Sequence, residues 1–176
     1  MLAFESKYLI KERAEEITRI GRYILRNRNS THQEFNLVDF YKDVVETAIQ
    51  VQVGRTATGL TFRAEHYGVI SLQLDFDDPS YLRLYRTSYS DETEGLNWVE
   101  LLTLCNDVSK ELKAVKATVD SLGDWFAVTF LVETFLAEQG KLPTRDILLS
   151  VFERNLRLVL LATDYLHQLK RNHQEL

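Results

Sequence analysis

The chain has 176 residues, of which 45% are hydrophobic and 27% charged, with a single cysteine and a net charge of −5 at pH 7. This length suffices for one domain to bury a core without a disulfide or a metal, and the acidic balance argues against nucleic-acid binding. Without a signal-peptide core or a run of about 18 apolar residues, we expect a cytoplasmic protein with no membrane insertion.

The first predicted element is a helix over residues 4–28. Its apolar residues recur at three- and four-residue steps and form a narrow stripe, which favours packing on one neighbour or on a second copy. Arg22, Arg26 and Arg28 approach a basic stripe, as do Lys170 and Arg171, but we interpret both groups as solvated helix ends. The polar run 27–31 predicts a boundary between an N-terminal helical extension, residues 1–30, and a domain spanning residues 31–176.

A second helix is predicted over residues 37–50, where an apolar face recurs with helical spacing. The period then changes to two. Leu60, Phe62 and Ala64 alternate with polar residues, residues 70–76 do so most clearly, and Leu82 and Leu84 follow. Short turns at residues 65–68 and 77–80 separate these segments, which predicts three antiparallel strands in a meander. We interpret residues 54–59 as a loop and residues 88–95 as an acidic loop.

The second half of the chain predicts a helix, a hairpin and a helix. The first helix runs over residues 97–113, and six of its residues are predicted on one apolar face: Trp98, Leu101, Leu102, Cys105, Val108 and Leu112. Residues 115–119 and 125–135 form the hairpin, whose second strand is apolar on both faces and therefore interior to the sheet. Thr144 suits the cap of the last helix. The element order α-α-β-β-β-α-β-β-α predicts an α+β fold with a five-stranded antiparallel sheet.

The stretch LLTLCNDVSKELKAVKATVDSLGDWFAVTFLVETF resembles the second half of YbjN-like domains, which share the fold of type III secretion chaperones. In those domains a helix with an Asn near its middle, here Asn106, leads into a strand, a polar hairpin and an apolar strand. A last helix then opens with Thr near its cap, as residues 143–146 do. In element order the resemblance covers residues 37–169. It implies a secretion-chaperone-like fold and a non-enzymatic, often dimeric module that binds another polypeptide or acts in regulation.

The residues supply no catalytic, metal or cofactor motif. Asp75, Asp77 and Asp78 are close in sequence but lack EF-hand spacing, which favours a solvated turn. The histidines are scattered and form no ligand pair: His32, His66, His167 and His173. Residues 54–59 have two glycines but lack the Lys-Ser/Thr of a P-loop. We therefore expect no metal, no cofactor and no catalytic residue.

Two further side chains have an alternative functional interpretation. Cys105 is predicted on an apolar helix face, where a thiol behaves as a small hydrophobe and burial raises its pKa. Glu133 is the one acidic residue of its strand. If it faces the core its pKa is perturbed, and if it lies on an edge it is ordinary.

The strand around residues 81–86 carries the residues that we predict to bind a protein. If Leu82 and Leu84 point inward, Tyr81, Arg83 and Tyr85 share the other face, and Arg86 follows them. Tyr and Arg are enriched at binding hot spots. The alternative is ordinary cross-strand packing with Arg stacked on Tyr.

Two classes of function remain open from the sequence. The first is a non-enzymatic protein-interaction module that acts as a homodimer and binds a protein partner through its sheet. The second is a small-molecule-binding protein or enzyme, with a pocket between sheet and helices lined by Trp98, Trp125 and Phe130. In addition, the predicted helix over residues 4–28 could serve as a docking or dimerisation arm.

Overall fold

The computed structural model of the chain describes residues 37–75, 78, 80–138 and 141–174. Within these residues it shows an α+β fold with four helices and one antiparallel sheet. The predicted helix over residues 4–28 and the boundary at residues 27–31 lie outside the described residues. The division into an extension and a domain therefore stays a prediction.

Ten elements follow one another along the described chain. The helices are α1 (Leu37–Ile49), α2 (Ser90–Thr93), α3 (Trp98–Glu111) and α4 (Arg145–Gln174). The strands are β1 (Val53–Thr56), β2 (Gly59–Ala64), β3 (Gly68–Leu74), β4 (Tyr81–Ser88), β5 (Lys116–Ser121) and β6 (Phe126–Phe135). Their order across the sheet is β1-β2-β3-β4-β6-β5, with every neighbouring pair antiparallel. The predicted meander and the predicted hairpin are both present, and the apolar strand β6 is interior.

The sheet has six strands, so the prediction of five is wrong. The additional strand is β1, which pairs with β2 from Val53↔Phe62 to Thr56↔Gly59. Three of its four residues are exposed, because an edge strand buries little and shows no apolar alternation. A two-residue turn joins Thr56 to Gly59. Gly59 also lies close to β3, because a Cβ atom at this position would be 2.0 Å from the Leu72 carbonyl oxygen. The predicted acidic loop also differs, since it contains the short helix α2.

The hydrophobic core lies on one face of the sheet. Every second residue of β3, β4 and β6 points into it, including Leu72, Leu84 and Phe130. Residues of α1, α3 and α4 complete the same cluster. Helix α4 has 30 residues, about 45 Å at 1.5 Å per residue, and Phe152 of this helix packs edge-on against Phe62 of β2 with ring centroids 5.8 Å apart.

Two of the predicted helix starts are confirmed. The Asn97 side chain accepts hydrogen bonds from Val99 N and Glu100 N, and the Glu100 carboxylate accepts one from Asn97 N, which forms a capping box. The Thr144 hydroxyl oxygen accepts a hydrogen bond from Ile147 N, which caps α4. These caps satisfy amide groups that a helix leaves without internal partners.

The buried face of α3 differs from the predicted one. Leu101, Leu104, Cys105 and Val108 are buried, whereas Trp98 and Leu102 are exposed. Three- and four-residue steps describe two overlapping stripes on a helix, and the stripe that includes Leu104 is the one that faces the sheet. Among the described helices, none has the length and apolar character that a bilayer crossing requires.

Candidate functional site

The face of the sheet opposite the core carries the predicted binding residues. Tyr81, Arg83 and Tyr85 alternate with buried residues along β4 and point away from the helices. Their partners across the β4–β6 pair are, in order, Phe135, Glu133 and Leu131. The described helices pack on the core side, so no described element covers this surface. We call it the outer face: Tyr81, Arg83, Tyr85, Lys116, Leu131, Glu133 and Phe135.

Glu133 lies at the centre of a polar network on the outer face. Its Oε1 accepts hydrogen bonds from Tyr81 Oη at 2.5 Å and from Arg83 Nε at 2.8 Å. The Lys116 ammonium group donates to Oε2 from β5. The Arg83 guanidinium group also lies 5.1 Å from the centre of the Tyr81 ring, a cation–π geometry. The Glu133 carboxylate of β6 therefore connects side chains of β4 and β5.

This network fixes the charge of Glu133. Hydrogen bonds from Lys116, Tyr81 and Arg83 lower the pKa of Glu133 from 4.5 to about 2, against a smaller opposing effect of burial. Burial and the hydrogen bond to Glu133 raise the pKa of Tyr81. A carboxyl group with so low a pKa is ionised at neutral pH and is poorly matched to proton transfer there. Glu133 faces away from the core, and its partners rather than burial perturb it.

Aromatic and aliphatic side chains border this network. The rings of Tyr81 and Phe135 lie 4.6 Å apart, and the Phe135 side chain is 67% exposed. Sequence reasoning missed Phe135, Leu131 and Lys116 as members of the outer face. For Phe135 and Leu131 the sequence does contain a signal. Each lies two residues from Glu133 along β6 and therefore points to the same face as Glu133, whereas the buried Phe130 points to the other face.

Arg86 does not belong to the outer face. Because side chains alternate along β4, Arg86 points to the same side of the sheet as Leu82 and Leu84, and it is only 3% exposed. Its guanidinium group donates to the Tyr67 carbonyl oxygen, the Ser88 hydroxyl oxygen and the Glu92 carboxylate. Grouping Arg86 with the exposed residues is therefore wrong in geometry. Its contacts connect β4 to α2 and to the turn before β3.

The three residues predicted to line a pocket between sheet and helices are not brought together there. Phe130 is fully buried in the core, while Trp98 and Trp125 are 39% and 36% exposed. The space around Phe130 is therefore filled by side chains. A separate cavity of about 470 Å³ opens beside Trp125 at the end of the sheet.

The other candidate residues are Cys105 and the three described histidines, which lie in the core, on α4 or in a turn. Cys105 is buried, and burial raises its pKa to about 11. His167 and His173 lie on α4, with Glu92 and Glu100 at 3.5 Å and 3.3 Å, and His66 is exposed in a turn. The described residues contain no group of three or more potential ligands able to hold a metal.

The two described aspartates near residue 78 build a turn. Asp78 N donates to Asp75 Oδ1 at 3.1 Å, and Asp78 Oδ1 accepts a hydrogen bond from Ser80 N at 3.0 Å. Asp77 and His32 lie outside the described residues.

Comparison with known proteins supports the fold. No protein-family model and no curated protein matches the chain. A solved structure does match: that of YbjN from E. coli, which is described as a candidate transcription regulator. The TM-score is 0.54 at 11% sequence identity, and the match covers 77% of this chain and 92% of that one. The predicted resemblance to YbjN-like domains is therefore confirmed at the level of the fold.

Proposed function

We propose that the protein is a non-enzymatic protein-interaction module, chaperone-like or regulatory, that binds another polypeptide through the outer face. The observation that carries this proposal is a sheet face without any described covering element. It presents Tyr81, Arg83 and Tyr85 beside Phe135, whose side chain is 67% exposed. Aromatic and arginine side chains are the residues most enriched at binding hot spots.

The charge arrangement also suits a polypeptide partner. The Glu133 carboxylate satisfies Arg83 and Lys116 within the chain, so a partner need not supply a counter-charge. The aromatic rings and Leu131 remain available for apolar contact. Tyr and Phe offer a large contact area with few rotatable bonds, which limits the entropic cost of binding.

The fold match supports the same class of function. The matched protein is described as a candidate transcription regulator, and the resemblance to YbjN-like domains implies binding or regulation rather than catalysis. We extend the proposal to a cytoplasmic homodimer, because the resemblance implies a dimer. Light scattering at several concentrations tests this part: twice the chain mass of 20.5 kDa is expected, and a strict monomer would refute it.

The binding proposal is tested by comparative affinity capture with the full chain as bait. The test variant is Tyr85→Ala/Phe135→Ala, which removes two aromatic side chains and leaves the Glu133 network intact. The matched control is Val51→Ala/Leu161→Ala, because both side chains are exposed and apolar but lie outside the outer face. Each bait is applied to the same lysate of the source cell, and the retained proteins are quantified by mass spectrometry.

We expect wild type and control to retain a common protein that the outer-face variant loses. Truncating a hot-spot aromatic costs about 2 kcal/mol, or roughly 30-fold in affinity. If all three baits retain the same proteins equally, the outer face is not the binding surface. The contacts of Tyr81 and Arg83 with Phe135 and Glu133 would then be ordinary cross-strand packing, with Arg83 stacked on Tyr81 within β4.

A further inference from the structure

Strand β5 forms a free edge of the sheet. It pairs with β6 without interruption from Lys116↔Leu131 to Ser121↔Phe126, and no described strand pairs with its other side. Main-chain N–H and C=O groups along such an edge are a template for a further strand. The six residues of β5 contain no proline or glycine that would interrupt that pairing. The geometry of this edge therefore suits the addition of one more extended strand.

The side chains of β5 are complementary to those of a second copy in antiparallel orientation. Ala117 and Val119 pack against the core. Lys116, Thr118 and Asp120 alternate with them and therefore lie on the side of the outer face. If a two-fold axis passes through Thr118, Lys116 of each copy lies opposite Asp120 of the other. Opposite charges placed in this way stabilise a strand pair, and Asp120 forms no ion pair with a described residue of its own chain.

Other registers of the same pairing lose this complementarity. Residues that face each other in a continuous antiparallel sheet point to the same side, so the axis passes through a residue of β5 rather than between two residues. An axis through Ala117 or Val119 sets neither charged residue opposite its counterpart. An axis through Lys116 or Asp120 sets two like charges directly opposite each other, which is destabilising. The charges of β5 therefore select the register that is centred on Thr118.

The bond between Lys116 and Glu133 does not exclude this contact. The Lys116 side chain is 68% exposed, and an ammonium group carries three N–H donors. One donor is used by Glu133 within the chain, which leaves others for Asp120 of the second copy. The polar network of the outer face would then continue across the strand pair.

Helix α3 presents exposed apolar side chains beside the same edge. It packs over β5, whereas α4 packs over β4 and β6. Nδ1 of His173 on α4 lies 3.3 Å from the Glu100 carboxylate of α3, which identifies the flank of α3 that faces α4. Trp98 and Leu102 are each two residues from Glu100, about 200° around the helix, so they point away from α4 and toward the free edge. Both are 39% exposed, and exposed apolar side chains beside an open edge mark an interaction surface.

We propose that two copies of the chain dimerise by antiparallel pairing of their β5 strands, centred on Thr118, with the flanks of α3 that carry Trp98 and Leu102 beside the pairing. This inference rests on the homodimer of the proposed function and assigns its interface. The two sheets of six strands become one continuous sheet. Because the axis is perpendicular to that sheet, both outer faces point to the same side, and one polypeptide partner would meet two copies of the binding residues.

Cysteine cross-linking of the full chain tests the register directly, because the axis sets position 118 of one copy opposite position 118 of the other. The test variant is Thr118→Cys. Directly opposed residues of antiparallel strands have Cα atoms about 4.5–5.5 Å apart, a separation that a disulfide can span. The matched control is Thr56→Cys, because Thr56 is an exposed threonine of the other edge strand, β1. The native Cys105 is buried and common to all the proteins.

We expect Thr118→Cys to form a covalent dimer as its main product under mild oxidation. Wild type and Thr56→Cys should run as monomers in non-reducing electrophoresis. If Thr118→Cys forms no more covalent dimer than Thr56→Cys, the proposed pairing is overturned.

The dissociation constant of the dimer, measured by analytical ultracentrifugation, supplies a second readout. Asp120→Lys sets two lysines opposite each other at both ends of the strand pair and should raise this constant at least about 10-fold. Leu102→Asp, which places a charge on the exposed flank of α3, should also raise it. The control Glu153→Lys makes the same change in charge as Asp120→Lys at an exposed position of α4 and should leave it unchanged. Circular dichroism verifies that each variant is folded, and an unchanged constant in both test variants contradicts the interface.

These measurements separate failure of the interface from failure of the proposed function. A wild type that stays monomeric refutes the homodimer and this interface together. A wild-type dimer that Asp120→Lys does not weaken and Thr118→Cys does not cross-link refutes the β5 interface alone. The variant Tyr85→Ala/Phe135→Ala should keep the wild-type dissociation constant of the dimer, because neither residue pairs with β5, so binding through the outer face is tested independently.

Discussion

Replacing Glu133 by Gln removes the charge at the centre of the outer face. The pKa of this carboxyl group is lowered from 4.5 to about 2 by Lys116, Tyr81 and Arg83. At 1.36 kcal/mol for each tenfold change in proton affinity, this corresponds to at most about 3.4 kcal/mol. Arg83 and Lys116 are 42% and 68% exposed, so solvent screening reduces the contribution to about 1–2 kcal/mol.

The effect should depend on pH in a defined direction. Because folding lowers the pKa of Glu133, its stabilising contribution is fully present above the unfolded-state value near 4.5 and decreases as the pH falls toward about 2. At pH 7, Glu133→Gln should therefore lower the free energy of unfolding by about 1–2 kcal/mol. At about pH 3, less than half of this difference should remain.

Urea unfolding followed by circular dichroism measures these differences. The control is Glu153→Gln, because Glu153 is exposed on α4 and forms no ion pair with a described residue. Its substitution should change the stability by less than about 0.5 kcal/mol at either pH. If Glu133→Gln is as stable as the control at pH 7, or if its destabilisation is the same at pH 7 and 3, the network does not hold the carboxylate as described.

Three further predictions concern the core. Arg86→Gln should cost about 3 kcal/mol in urea unfolding, because it leaves the Glu92 carboxylate without its buried partner; a cost below about 1 kcal/mol would contradict that contact. Gly59→Ala should cost more than about 2 kcal/mol, since its Cβ atom would lie 2.0 Å from the Leu72 carbonyl oxygen, and an unchanged urea midpoint would refute the register of β2 and β3. Cys105 should resist iodoacetamide at pH 8 in the native protein and react once unfolded, because burial raises its pKa to about 11; equal rates in both states would place the thiol outside the core.

Regular alternation made the central strands predictable. In β3 and β4 every second residue is buried, among them Ile70 and Leu84, and this period specifies both the strand and its inner face. The same rule would have placed Arg86 inward with Leu82. Its charge suggested exposure instead, but the structure buries it with hydrogen-bonding partners, as a buried charge requires.

Features that depend on distant pairing could not be predicted. Tyr81 and Glu133 are 52 residues apart in sequence, and they meet only because β4 pairs with β6 rather than with the next strand in sequence, β5. No local pattern in the sequence encodes this strand order, because residues of both neighbouring strands must be known before their pairing can be assigned. Strand β1 escaped prediction for a different reason, since Gly54 and its exposed neighbours give no apolar period.

The most direct measurement of the proposed function is a binding titration between the purified full chain and the protein identified by comparative capture. Isothermal calorimetry gives the dissociation constant for wild type, for Tyr85→Ala/Phe135→Ala and for Val51→Ala/Leu161→Ala. If the outer face binds the partner, the first variant should bind at least about 10-fold more weakly, a loss of about 1.4 kcal/mol, while the second binds like wild type. Equal dissociation constants for all three proteins would contradict binding through the outer face.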